Sequence, residues 1–196
     1  MTPFYIAVEG DTDEAVAQRI MYYLGYQKDA LIPIPPKGGK TELKKSIRSY
    51  NEAARISPWF VLTDLDSPDR CPVHYAREWL PEPNPNMVFR IAVPQIEAWL
   101  LASRTALAKY LQISVDLIPD NPEKLQNPKI AMVNLATRSR SRSIREDISR
   151  PNGLIGPAYV KRIGEFVWKY WDIDEAMIHA ESLRRCVQAL RQFSII

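Results

Sequence analysis

At 196 residues, with 46% hydrophobic and 25% charged side chains, the chain has the make-up of an ordinary globular protein, long enough for one well-buried core with an appendage. The formal net charge of +3 is too small to mark the whole molecule as a nucleic-acid binder, so where the charges fall matters more than their sum. No uninterrupted apolar run approaches the roughly 20 residues of a membrane-spanning helix, and the opening residues lack a signal-peptide layout, so a cytoplasmic protein with no membrane association is expected.

Phe4 to Val8 form a short apolar run that breaks at Glu9-Gly10, and a helical stripe of Val16, Ile20 and Leu24 follows. Asp11, Thr12 or Asp13 is expected to cap that helix and Gly25 to close it. A second strand is expected from Ala30 to Pro35, then Lys37-Gly38-Gly39-Lys40 and a helix from about Thr41 to Arg55. Trp59 to Thr63 is a continuous apolar run, the pattern of a strand covered on both faces, and it ends in Asp64-Leu65-Asp66. His74 to Leu80 reads as a helix and Met87 to Val93 as a fourth strand. Pro94 suits the first position of the helix carrying Ile96, Glu97, Trp99 and Leu100. This βα rhythm predicts an α/β domain over residues 1–102 with a mostly parallel four-stranded sheet flanked by helices. Beyond it, helices at Thr105 to Leu111, Pro128 to Thr137, Ala158 to Tyr170 and Asp174 to Phe193 predict a C-terminal helical extension over residues 103–196.

In open α/β sheets, ligands bind beyond the carboxyl ends of the strands. Glu9 ends the first strand, Asp64 and Asp66 end the third, and Glu97 opens the helix after the fourth. If extended geometry continues through Asp64 and Asp66, their side chains leave the same face. A lone acidic residue at a strand end is usually a cap or a solvated turn residue, but several gathered at one rim repel unless neutralised. Mg2+ or Mn2+, with oxygen ligands, is the economical neutraliser. Asp13 or Glu14 is a further candidate ligand.

The segments Val8-Glu9-Gly10-Asp11-Thr12-Asp13-Glu14 and Val61-Leu62-Thr63-Asp64-Leu65-Asp66 resemble the two motifs of the TOPRIM domain, a glutamate after the first strand and an Asp-x-Asp after the third. The nearer likeness is to small standalone TOPRIM-like proteins related to the nuclease half of the OLD (overcoming lysogenization defect) family, which carry a similar opening and a helix like Ile96-Glu97-Ala98-Trp99-Leu100-Leu101-Ala102. The resemblance spans about residues 4 to 102. It implies a TOPRIM-like, Rossmann-like fold and metal-dependent cleavage of DNA or RNA, DNA ahead of RNA. Asp64 and Asp66 would hold magnesium, Glu9 would act as base or ligand, and Glu97 would supply the ligand for a second ion. By resemblance alone it also implies an ABC- or AAA-type ATPase partner in bacterial antiviral or mobile-element loci. The position of the further acidic residue is shifted, so it aligns with either Asp13 or Glu14.

Arg138, Arg140, Arg142, Arg145 and Arg150 stand against Glu146 and Asp147 in a serine-interleaved segment, which suits either a phosphate backbone or a solvated loop with local ion pairs. Lys37-Gly38-Gly39-Lys40 falls short of a P-loop, but Lys37 or Lys40 can meet a substrate phosphate. Lys129 and Lys161 are weaker candidates for a catalytic lysine. His74 and His179 lack partners at metal-ligand spacing, and Cys71 and Cys186 belong to no metal-binding cluster and read as free buried thiols. Trp99, Trp168, Trp171, Tyr159, Phe166 and Tyr170 are expected in the core. Together these point to a nuclease. The alternatives are a catalytically inactive TOPRIM-like nucleic-acid-binding or regulatory subunit and, more remotely, a haloacid-dehalogenase-type phosphatase or nucleotide-sugar transferase.

Overall fold

Four apolar runs become strands in the computed structural model, which describes residues 3–35 and 38–193: β1 (Phe4–Ala7), β2 (Leu31–Ile34), β3 (Trp59–Asp64) and β4 (Met87–Ala92). All pair in parallel, in the order β2-β1-β3-β4. From Trp59 to Thr63 every residue of β3 is buried, as its unbroken apolar sequence requires. Pro33 has no N–H to give a ladder and is tolerated because β2 is an edge strand. The helices α1 (Asp11–Tyr23), α2 (Gly39–Ala53) and α3 (Pro72–Trp79) link the strands and pack on them, burying Val16, Ile20, Met21, Leu43 and Ile47. Each such side chain contributes about 1.5–3 kcal/mol on burial. The expected parallel, helix-flanked α/β sheet is therefore the observed one.

The chain divides into two compact units, one formed by Met1–Leu65, Asp69–Ala92 and Arg185–Ile196, the other by Asp66–Pro68 and Val93–Arg184. The sequence suggested a division near residue 102. By contacts, α4 (Ile96–Ala102) groups with the helices of the second unit: α5 (Arg104–Leu111), α6 (Pro128–Ala136), α7 (Arg142–Ile148), α8 (Tyr159–Lys169) and α9 (Ile173–His179). Every residue of α4 is buried, and its neighbours within that unit include α6 and α9.

Several local expectations are corrected. Gly10, not an acidic side chain, occupies the cap of α1, and Asp11, Asp13 and Glu14 lie inside the first turn, where negative charge suits the helix dipole. Pro94 is not the first residue of α4; it follows a cis Val93–Pro94 bond, and Gln95 is the cap. The helix expected from Asp174 to Phe193 is two, α9 and α10 (Glu181–Arg191), separated at the extended Ala180. The break has a long-range cause, because the Glu123 carboxylate accepts from the N–H groups of Glu181 (3.1 Å) and Ser182 (2.8 Å) and so caps α10 from outside. Trp99, Trp171, Tyr159 and Phe166 are buried as expected, whereas Trp168 and Tyr170 are exposed. Cys71 is exposed and only Cys186 is buried, and both are free thiols.

Within the first unit, burial pushes the Cys186 thiol up to about 12 from its ordinary 9.0, against the opposing charge of Arg90. A raised folded-state value gives a stability contribution that is complete below pH 9 and is lost as pH climbs toward 12. Denaturant midpoints of the native protein should therefore fall more steeply over that interval than those of Cys186→Ser. Parallel slopes would show that this thiol does not govern alkaline unfolding.

Candidate functional site: a clamped carboxylate at the sheet's switch point

The sheet order puts β1 between β2 and β3, so the chain leaves β1 toward one edge and later returns to build toward the other. The carboxyl ends of β1 and β3 thus flank the topological switch point, where open α/β sheets bind ligands. Tyr5, Ile6 and Ala7 pair in register with Trp59, Phe60 and Val61. Continuing that register brings Glu9 level with Thr63, and the contacts agree. Glu9 Oε1 accepts from the backbone N–H of Asp64 at 3.0 Å and from the hydroxyl of the buried Thr63. Both bonds fall on one carboxylate oxygen and leave Oε2 outside them.

Lys40 joins this centre through the start of α2. Gly38 has φ +71°, and a Cβ there would lie 2.3 Å from Glu42 Cγ, so only glycine permits the turn that feeds Lys40 into the helix. The Lys40 ammonium donates to the Asp64 carbonyl at 2.6 Å and lies 3.7 Å from Glu9 Oε1. It also sits 5.6 Å above the ring of the buried Tyr75, which the Arg70 guanidinium approaches at 4.2 Å. Sequence reasoning named Lys40 as a phosphate contact but missed its pairing with Glu9, and missed Thr63 and Tyr75 as partners. Lys37 lies outside the described residues.

Asp64 and Asp66 do not continue one strand. β3 ends at Asp64, and Asp66 adopts φ +65°, a left-handed conformation that aspartate tolerates better than most residues, with its N–H donating to the Pro94 carbonyl at 2.8 Å. The same-face alternation expected of the pair is therefore broken. Asp13 and Glu14 occupy the first turn of α1; Glu14 accepts from Gln18 at 2.8 Å, and burial, aided by Asp11, raises its pKa. Among the described residues, no group of three or more His, Cys, Asp or Glu side chains is arranged to hold a metal ion.

The second unit holds the buried Glu97. Glu97, 2% exposed in the first turn of α4, accepts from the Tyr159 hydroxyl at 3.0 Å and lies 3.6 Å from the Lys129 ammonium, which rests 5.2 Å above the Tyr159 ring. Gly156 makes the approach to α8 possible, since a Cβ there would come within 2.4 Å of the Asp147 carbonyl. Lys129, Tyr159 and Lys161 line a cleft of about 490 Å³ beside it. The arginine segment is partly helical rather than a loop. Arg138, Arg140 and Arg142 are exposed, Arg142 pairs with Glu146 at 2.7 Å, and Arg145 turns back onto the Ser139 carbonyl. Asp147 takes Arg162 as its partner at 2.8 Å, a pairing the local sequence did not suggest.

No protein-family model matches the sequence, and neither does any curated protein. Among solved structures, the C-terminal region of the Burkholderia pseudomallei OLD protein superposes with a TM-score of 0.54 at 15% identity, covering 100% of both chains. The chain shares the fold of that OLD region. At this identity the likeness is one of fold, and it agrees with the OLD-type resemblance carried by Val8 to Glu14 and Ile96 to Ala102.

Within this OLD-like fold, Tyr159→Phe removes a hydroxyl that donates to the buried Glu97. Leaving a buried acceptor short of a donor costs about 1–3 kcal/mol. Chemical denaturation should show a loss of that size with the fold retained; an unchanged midpoint would mean that the bond carries no net stability.

Proposed function

We propose that the chain is a metal-dependent nuclease that hydrolyses phosphodiester bonds of nucleic acid, DNA ahead of RNA, with Mg2+ or Mn2+ as its cofactor. The observation that carries this reading is Glu9, fixed by Asp64 N–H and Thr63 at the carboxyl ends of two adjacent parallel strands, in a fold shared with the OLD C-terminal region.

The donor set suits a hard divalent ion. It consists of oxygens alone, and magnesium commonly takes only one or two protein carboxylates, completing its shell with water and substrate phosphate. A third clustered carboxylate is therefore not required for the Glu9 and Asp64 pair to serve. When bound, such an ion supplies charge stabilisation at the phosphoryl group and lowers the pKa of its water. Glu9 keeps Oε2 outside the bonds from Asp64 N–H and the Thr63 hydroxyl, so one oxygen orients the group while the other serves as ligand or proton acceptor. The exposed Arg138, Arg140 and Arg142 support this reading as phosphate contacts. An ATPase partner and a place in bacterial defence extend the proposal on the strength of the sequence resemblance.

The second reading, a TOPRIM-like subunit that binds nucleic acid or regulates a partner without turnover, is favoured by one observation. Lys40 already supplies a cation beside Glu9.

Incubation of end-labelled single- and double-stranded DNA and RNA with the purified chain separates the two. The nuclease reading expects cleavage that requires Mn2+ or Mg2+ and falls about a hundredfold or more in Glu9→Gln and Asp64→Asn. Cleavage that survives both substitutions would contradict the assignment, and metal-independent binding without cleavage would favour the non-catalytic subunit.

A further inference from the structure

Among the contacts of Lys40, two differ in kind. Its 2.6 Å bond goes to a neutral acceptor, the Asp64 carbonyl, whereas its approach to the Glu9 carboxylate, at 3.7 Å, is electrostatic and looser. The Glu9 side chain is only 19% exposed, so its charge is partly withdrawn from water and needs a nearby cation. Arg70, the other cation on the Tyr75 ring, is tied to Glu78 at 2.5 Å. Among the described residues Lys40 is thus the basic side chain paired with Glu9, and a lysine is a compact point charge on a flexible stem, able to leave without dismantling the turn that carries it.

We infer that Lys40 is the resident counter-ion of the site: a positioning residue that holds Glu9 to the end of β3 and gives way to a divalent cation. This rests on the proposed metal reading and adds a consequence which that reading does not contain. An ammonium and a divalent ion cannot both sit against one carboxylate without strong mutual repulsion. Metal binding therefore displaces the Lys40 ammonium, and the affinity of the site for metal is set partly by how firmly Lys40 holds its place.

The sign of one measurement distinguishes this role from a merely architectural one. If Lys40 only shapes the site, its removal disorders the ligands and weakens metal binding. If it competes with the metal, removal strengthens it. Mn2+ binding to the full chain would be titrated by electron paramagnetic resonance for the native protein, Lys40→Met and Lys40→Gln, the glutamine keeping a neutral donor for the Asp64 carbonyl should the methionine variant fold poorly. Lys44→Met is the charge control, since Lys44 lies 5.5 Å over the Trp79 ring and removes the same charge from the same helix. The expected result is Mn2+ binding about tenfold tighter in a Lys40 variant, with affinity unchanged in Lys44→Met. The metal-free variants should also melt lower than the native protein and be raised further by Mn2+. Binding by the native chain with equal or weaker affinity in the Lys40 variants would overturn the counter-ion role and leave the metal reading standing. Binding by none of the proteins would overturn both, and binding by the Lys40 variants alone would support both.

Discussion

The hydrogen bonds from Asp64 N–H and the Thr63 hydroxyl to the Glu9 carboxylate tie the end of β1 to the end of β3. Adjacent parallel strands are held by their ladders along their length, but where they stop, the backbone groups and the first loop residues lack regular partners. Glu9 supplies one, and in doing so fixes a charged group at a place where the sheet topology opens toward ligand. The cost of partly burying the charge is offset by the two hydrogen bonds on Oε1 and by Lys40. Charge-assisted bonds of this kind are stronger than neutral ones, which lets one side chain set the geometry of its surroundings.

The second unit solves a similar problem with different residues. Glu97 lies on a helix with no exposed face, and its carboxylate is made tolerable by Tyr159 and Lys129. Helix ends elsewhere in that unit are closed by carboxylates from distant segments: Glu123 caps α10, and Glu175 accepts from Thr105 N–H at the start of α5 at 2.7 Å. These contacts hold short helices that would be marginal alone. Arg162, paired with Asp147 and with Glu165 at 3.0 Å, adds another tie and holds the Glu165 carboxyl below its usual range.

The sheet was legible because its signal is local. Apolar runs such as Trp59 to Thr63 announce a doubly covered strand, and Glu9 and Asp64 could be assigned to a common rim from the βα rhythm alone. What escaped reading depends on contacts between residues far apart in the chain. No feature of the Asp174 to Phe193 stretch signals the break at Ala180, because the group that creates it, Glu123, lies in another segment. The left-handed backbone of Asp66 is equally silent, since aspartate is compatible with both extended and left-handed geometry. Tyr159 read as generic core because nothing local reveals that its hydroxyl meets Glu97, and the pairing of Lys40 with Glu9 becomes visible only once β1, β3 and α2 are assembled.

On the proposed reading, Glu9, clamped at the end of β3, anchors a divalent-metal site. A crystal structure of the chain grown or soaked in Mn2+, with anomalous data collected at the manganese edge, would locate that ion. An anomalous peak within coordination distance of the carboxylates of Glu9 and Asp64, with the Lys40 ammonium moved away, is the predicted outcome. A well-ordered map with Lys40 still against Glu9 and no peak beside either carboxylate would contradict it.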